Sequence, residues 1–432
     1  MERRTRTGAK PASLEEAGSL SGDSSKAHSN RRGGADSGRS RSKLGTCCDI
    51  LGLLFLGGVS YLVYLALFAD CIIDPQPRGV PPPPEMTGAL SPDSSESLAD
   101  AEILFPDVLV GAECLAWDDD GMLYTGTMSG QIWKVDPAAD EPVLVANTGK
   151  VACDSSVREL RPECGRPLGL RVMPDNSLLI VDAFMGLLKL SLLDGKMETL
   201  VHQNQVVDGA PLVFADDLAI GPDGAVYFSD VSTYSMDKLF YDVMSAGGRG
   251  RIIRYDPVTG SASTFARDLH FANGVELSHD GKSIIVTETS MYRITRIFIT
   301  GERTGQSEVL AENLPGFPDN VRRHPDSGYL VAMSAGRTWK STLLDNRPYL
   351  VRLMINAVPY DELVKASNPY GLCVHMSESG DVIRTWHDAR AHTLAFTSHC
   401  SMHGDHMFVG SFVSRGIGKL KLSKSLPQNA GN

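Results

Sequence analysis

The chain has 432 residues, 42% of them hydrophobic and 22% charged, with a formal net charge of −11 at pH 7. That length accommodates one large domain plus a tail. The first 46 residues carry ten Lys or Arg against five Asp or Glu, so the remainder holds 31 basic against 47 acidic residues, a balance that argues against a nucleic-acid surface.

Residues 1–46 are rich in Ser, Gly and Arg with almost no aliphatic content, the composition of a disordered tail. Ile50 to Ala69 follows as twenty residues without a charge, the length a membrane-spanning helix needs. Arg31, Arg32, Arg39, Arg41 and Lys43 precede it, and Asp70 and Asp74 follow. Positive charge is retained on the cytoplasmic side, so residues 50–69 read as a signal anchor, with the tail inside and the large domain lumenal or extracellular, at the plasma membrane or the endoplasmic reticulum. The apolar run begins too far from the N-terminus for a cleaved signal peptide. Cys47 and Cys48 sit where palmitoylation occurs, or are idle thiols.

Residues 70–101 are rich in Pro and Ser, with four successive prolines at Pro81–Pro84, and read as an extended stalk that holds the next domain off the bilayer. Residues 102–424 then repeat one pattern. The stretch FADDLAIGPDGAVYFSD, Phe214 to Asp230, is a strand, a Gly-Pro-Asp-Gly turn and a second strand. Equivalent stretches begin at Glu113, Leu168, Asn273, Asp319 and, less well matched, Thr397. Six hairpins at blade-length spacing predict an all-β, six-bladed propeller. Residues 338–370 (Trp339 to Lys365 at near-helical spacing) predict one or two helices inserted between blades 5 and 6, serving as a lid or as a membrane-facing or dimerising patch. Residues 425–432 are a short tail.

The turns put the copies in register. Eight residues before the turn residues Gly121, Asn176, Gly224, Gly281, Ser327 and Asp405 stand Glu113, Leu168, Asp216, Asn273, Asp319 and Thr397. Each marks the start of an innermost strand, so the six side chains converge on the propeller axis at one face. Four are oxygen donors and three of those are acids, which calls for a divalent cation. Oxygen-only ligands favour calcium, with magnesium next. A single such acid more often caps a strand; the shared register makes the metal reading the stronger one.

Asp182, Asp230 and Glu288 lie six or seven residues past their turns and ring the same mouth, each a candidate general base or an acid that holds neighbouring turns together. His399, His403 and His406 read as solvated. Cys153 and Cys164 flank a short polar loop and are the expected disulfide; Cys114, Cys373 and Cys400 fall in or beside strands as buried thiols, and Cys71 could bridge two chains in a homodimer. No Gly-x-Ser-x-Gly elbow or CxxC is present, which removes serine hydrolase and zinc readings.

GRPLGLR (from Gly165), DLAIGPDGAVYFSD, FANGVELS and GFPDNVR (from Gly316) resemble the strictosidine synthase-like family, within the wider group of paraoxonases and gluconolactonases. The resemblance covers about Asp74 to Leu422. It implies a six-bladed propeller with calcium in its tunnel, held by Glu113, Asp216, Asn273 and Asp319, with Asn320 as a further ligand. Asp216 stands where the family pattern usually has Asn. The implied activity is arylesterase or lactonase hydrolysis of a small ester or lactone; the alternative is a non-catalytic, calcium-stabilised binding module. The histidine dyad of paraoxonases falls on Leu168 and Ala183, and the glutamate of strictosidine synthases has no counterpart in Phe396 to Met402. Neither of those mechanisms carries over. Cys114 stands where the second paraoxonase calcium needs an acid, so one ion is expected.

Overall fold

The computed structural model describes residues 43–92, 97–155 and 159–423, with side chains from residue 50 onward. The expected disordered tail, the side chains of Cys47 and Cys48, and residues 425–432 lie outside that set. The chain divides into two units, residues 1–57 and 58–432. Helix α1 (Lys43–Leu67) begins in the first and contains an uninterrupted apolar stretch, Ile50–Leu67, long enough to cross a membrane.

The second unit carries six four-stranded antiparallel sheets, the propeller expected from the repeats. The innermost strands are Leu115–Trp117, Pro167–Met173, Ala215–Ile220, Ala272–Leu277, Gly316–Arg323 and Thr397–His403. Each pairs with a second strand running back to the face where it began. The turns form where the sequence places Gly or Asn, residues that tolerate a left-handed backbone: Gly224 has φ 78° and Asn176 φ 56°. Alternating apolar residues pack each sheet onto the next. Leu179, Val181, Leu187 and Val201 of blade 2, for example, meet Leu218, Val226, Phe228 and Ile253 of blade 3 in one buried cluster.

The ring closes through the N-terminal end of the domain. Glu102–Leu104 pairs with Ile417–Lys421 and supplies the outermost strand of blade 6. A sheet assembled from both chain ends ties the first and last blades together and removes a free edge.

Three features differ from expectation. The helical insertion consists of three helices, α3 (Trp339–Asp345), α4 (Pro348–Ala357) and α5 (Tyr360–Lys365). It lies inside blade 5, between that blade's second and third strands, Tyr329–Gly336 and Gly371–Met376, and not between blades 5 and 6. The helical spacing of residues 338–370 marks an insertion, but nothing local reveals that the strand after it returns to the same sheet.

The proline-rich segment is extended but packed, because it carries anchors among its prolines. Arg78 is buried, with its Nε donating to the Ser290 carbonyl at 2.6 Å and Nη1 to Asp345 Oδ1 at 3.0 Å. Tyr292 donates to the same Oδ1 at 2.8 Å, and Arg337 lies 4.1 Å over the Tyr292 ring. Ile73 enters a core with Val351, Ile355 and Leu363, and Thr385 and Thr393 donate to the carbonyls of Ala89 and Ala99. The segment is a strap along blades 4 to 6, where a free stalk was expected.

The disulfide Cys153–Cys164 is present, with 5.6 Å between Cα atoms. Cys373 and Cys400 are not thiols: they form a second disulfide, Cα–Cα 6.2 Å, between the third strand of blade 5 and the inner strand of blade 6. Among the described residues, Cys71 and the buried Cys114 remain free.

Candidate metal centre

Five of the six inner strands carry a register shift at the same point, between Pro167 and Gly169, Ala215 and Leu218, Ala272 and Val275, Pro318 and Val321, and Thr397 and His399. Such a bulge bends the strand and re-aims its side chains. It also lets inner strands approach closely. A Cβ on Gly274 would sit 2.6 Å from the Asn320 Cα, and one on Gly169 would sit 2.7 Å from the Asp216 carbonyl oxygen. The bulges turn Asp216, Asn273, Asp319 and Asn320 toward the level of Glu113, which precedes the unbulged inner strand of blade 1; all five are buried.

The predicted donors do come together. Asn320 Nδ2 donates to Glu113 Oε1 at 2.6 Å, and Asn273 hydrogen-bonds the Asp319 carboxylate. Burial, then the neighbouring charges of Asp216 and Asp319, push the Glu113 carboxyl well above its ordinary range. Burial and the charges of Asp319 and Asp217 do the same to Asp216, and burial pushes Asp319 up to about 7. Three oxygens of the set have no protein partner: Glu113 Oε2, Asn273 Oδ1 and Asn320 Oδ1. Unpartnered buried oxygens beside mutually repelling acids are the donor arrangement a hard cation fits. Among the described residues no three His, Cys, Asp or Glu side chains stand close enough to hold a metal ion by themselves, Glu113, Asp216 and Asp319 included.

A cation does stand nearby. Arg166, fully buried at the entrance to blade 2, donates to the Gly111 carbonyl at 2.8 Å and lowers the proton affinity of Glu113 and Asp216. It was not singled out in the sequence, although it opens the RPLGLR stretch.

Beneath the acids lies a second charged layer that the sequence reading missed. Arg322 clamps Asp217 with two bonds, Nη1 to Oδ2 at 2.7 Å and Nη2 to Oδ1 at 3.0 Å, and its Nη2 lies 3.2 Å from Cys114 Sγ. Arg171 reaches Asp217 and Glu276, each at 3.4 Å. Burial alone would raise the Asp217 carboxyl, but the guanidiniums of Arg322 and Arg171 outweigh it and hold it below the usual carboxylate range. The turn register contains the signal: Arg171, Glu276 and Arg322 all stand five residues before their turn residues. Strict alternation would put positions three apart on opposite faces. The bulge inserts the extra residue that turns both layers inward.

His399 is part of this interior and not a solvated side chain. It is fully buried and neither ring nitrogen has a protein partner. Burial and the positive charges of Arg322 and Arg171 push it well below the ordinary histidine value, so the ring is neutral. His403 does lie on the surface turn, stacked on Trp117 at 4.0 Å.

The candidate bases are placed differently. Asp182 accepts four hydrogen bonds, from Thr148 Oγ1 (2.6 Å), Arg166 N (2.8 Å), Phe184 N (2.8 Å) and Met185 N (3.0 Å). Asp230 accepts from Val213 N and Phe214 N and pairs with Arg251 at 2.9 Å. Glu288 is held by both ends of the Arg293 guanidinium, each at 2.8 Å, and by His270 N at 2.9 Å. Each ends the second strand of its blade and ties down the loop that enters that blade. Lone pairs so fully engaged leave little capacity to take a proton from water.

The fold defines the class first: this is a six-bladed propeller, and its fold is similar to that of gluconolactonases. A gluconolactonase from Xanthomonas campestris superimposes with a TM-score of 0.51 at 15% identity, covering 82% of this chain and 99% of that one. A luciferin-regenerating enzyme does so with a TM-score of 0.50 at 13% identity, covering 74% and 94%. At such identities the likeness establishes the fold alone. The strictosidine synthase pattern matches residues 216–302, and the strictosidine synthase-like N-terminal pattern matches residues 94–135. Adipocyte plasma membrane-associated proteins are similar over most of their length: that of Salmo salar is 37% identical over 380 residues, covering 86% of this chain and 90% of the relative. The Homo sapiens protein is 33% identical over 356 residues, covering 81% and 84%. The chain belongs to the strictosidine synthase-like family.

Proposed function

We propose that this is a single-pass membrane protein whose propeller binds one calcium ion through Glu113, Asp216, Asn273, Asp319 and Asn320, and that the site hydrolyses a small ester or lactone. The observation that carries the ion is the trio of unpartnered oxygens, Glu113 Oε2, Asn273 Oδ1 and Asn320 Oδ1, beside three acids. Held by Glu113, Asp216, Asn273, Asp319 and Asn320, calcium would supply polarisation of a substrate carbonyl. The chain's own residues set the stage for that chemistry. Arg166 offsets part of the acid charge, the Arg322–Asp217 clamp closes the tunnel below, and Asp182, Asp230 and Glu288 hold the loops of the mouth. Asp182, Asp230 and Glu288 are not retained as bases.

The membrane assignment rests on the apolar helix and on relatives named as plasma membrane-associated; the charge asymmetry around residues 50–69 orients the propeller to the lumenal or extracellular side. Two disulfides agree with that compartment. A second reading, a calcium-stabilised binding module without turnover, is favoured by one observation: all three candidate bases are saturated with donors.

One assay separates the two. The full chain in detergent is tested on phenyl acetate and a lactone panel, with calcium, with chelator and as Asp319→Ala. Hydrolysis that needs calcium and disappears in the variant supports the enzyme. No turnover in a protein that calcium nevertheless stabilises supports the binding module, and hydrolysis that is unchanged in chelator and in the variant removes the metal mechanism.

A further inference from the structure

The second strand of blade 5 ends at the face where the metal donors converge, so the inserted helices α3 to α5 rise from that face. Helix α2 (Leu239–Ser245) leaves blade 3 on the same side, after Asp230. Tyr241 and Met244 of α2 pack with Val351, Ile355 and Ile73 in one cluster. These helices form a cover on the side of the propeller where the tunnel opens, and it is hydrogen-bonded to the chain at the end of the apolar helix. Arg352 donates through Nε and Nη2 to the Ala69 carbonyl at 3.2 and 2.7 Å, and Asn356 Nδ2 donates to the Leu65 carbonyl at 3.0 Å.

The outside of this cover is not dressed for water. Trp339 is 72% exposed, and Leu343 and Tyr349 are exposed beside it in sequence. Phe68 and Ile72, on the segment that α4 holds, are exposed as well. The only acid in α3 and α4, Asp345, is buried, whereas Lys340 and Arg347 are exposed. Exposed Trp, Tyr and Leu with basic neighbours are the composition of a membrane interface. Nothing else in the propeller requires a water-facing tryptophan at this place.

We infer that the face of the insertion bearing Trp339, Leu343 and Tyr349 lies in the headgroup region of the bilayer, so that the tunnel mouth is directed at the membrane and its substrates are drawn from the lipid phase. The inference rests on the reading of α1 as a membrane anchor. Continuity fixes the occupant: α4 is hydrogen-bonded to one carbonyl in the last turn of the apolar stretch, Leu65, and to one just beyond it, Ala69, which leaves no distance for a soluble partner of any size to intervene. The exposed charges next to Trp339 and Tyr349, Lys340 and Arg347, are basic and suit anionic lipid, whereas the acids of the insertion, Asp361 and Glu362, stand on α5.

The test uses the full chain reconstituted in nanodiscs of phosphatidylcholine and phosphatidylglycerol, with part of the phosphatidylcholine brominated high on its acyl chains. Bromine quenches indole only at near contact, so tethering alone does not quench. The chain has four tryptophans, and Trp117, Trp133 and Trp386 serve as internal reference. The expected result is quenching of about a quarter of the emission, lost in Trp339→Phe and reduced at least twofold in Leu343→Glu with an unchanged far-ultraviolet spectrum. Equal quenching in wild type and Trp339→Phe, in chains that remain in the disc, overturns the inference while leaving the anchor intact. Chains that do not partition into discs at all overturn the anchor, and the inference with it.

Discussion

The clamp between Asp217 and Arg322 makes the sharpest demand on the structure. Asp217 is fully buried and receives Arg322 through both oxygens, the Val275 amide at 2.8 Å and Arg171 at 3.4 Å. Asp217→Asn keeps the volume and one acceptor but leaves the Arg322 guanidinium buried without its counter-charge. Breaking a buried pair from one side costs about 3–5 kcal/mol. Unfolding entropy of about 2.1 cal/mol/K per residue over roughly 320 propeller residues turns that into a fall in melting temperature of about 4–7 °C. Adding Arg322→Met removes the stranded charge, and a well-packed apolar replacement for a buried pair is often neutral. The double variant is therefore expected to melt higher than Asp217→Asn alone. Calorimetry of the full chain in detergent, at one scan rate, reads both. A single variant that melts like wild type, or a double variant that melts lower still, refutes the reasoning that the lower tunnel is held by this pair.

Further outcomes follow from the same geometry. Removing calcium with a chelator lowers the melting temperature if free calcium stood well above its dissociation constant, by the equivalent of about 2.7 kcal/mol at a hundredfold excess, and Asp319→Ala abolishes the response; an unchanged melt after verified removal counts against the site. Asp182→Asn costs about 1–3 kcal/mol of stability and leaves hydrolysis per folded molecule within about twofold, whereas a loss of turnover without a loss of stability would return it to the list of bases. Replacing Cys373 and Cys400 together by Ala lowers stability by about 2–4 kcal/mol, read by melting under non-reducing conditions, with no effect if the cross-link between blades 5 and 6 is idle. Burial pushes the Asp242 carboxyl up to about 6 against 3.8 for the free group, despite Arg249 at 3.2 Å. The folded state thus holds the proton more tightly than the unfolded chain. Its contribution is complete below about pH 4 and is lost as pH rises through 6, about 3 kcal/mol in all. Asp242→Asn should flatten that dependence, and a difference between the two melts that stays constant from pH 4 to 7 would sink the assignment.

The parts that were legible in the sequence are those governed by short-range rules. Gly224, Gly281 and their equivalents mark turns because the backbone conformation demands such residues, and turn spacing then gives the blades and the donor level. The charged layer below was hidden by the bulges: Arg171, Glu276 and Arg322 occupy positions that simple alternation assigns to the opposite face, and nothing local announces an extra residue. Topology that depends on the chain's return was equally hidden. The insertion is local, yet the strand after it belongs to the sheet before it, and Glu102–Leu104 joins a blade whose other strands lie some three hundred residues on. Pairings such as Cys373 with Cys400 and Arg78 with Asp345 are set by the closed ring, and sequence separation carries no information about them.

The two layers of the tunnel explain each other electrostatically. The lower one brings Arg171, Arg322 and Arg323 against Asp217 and Glu276, so the guanidiniums already supply the counter-charge its acids need. The upper one holds Glu113, Asp216 and Asp319; Arg166 offsets Glu113 and Asp216, and Arg322 from the layer below adds to it at Asp216. Burial and mutual repulsion raise the proton affinity of all three carboxyls. A divalent ion relieves the repulsion and engages the three idle oxygens in one step. The same addition one level down would meet three arginines. A metal held as proposed would thereby be confined to the upper layer, on the side where the inserted helices stand.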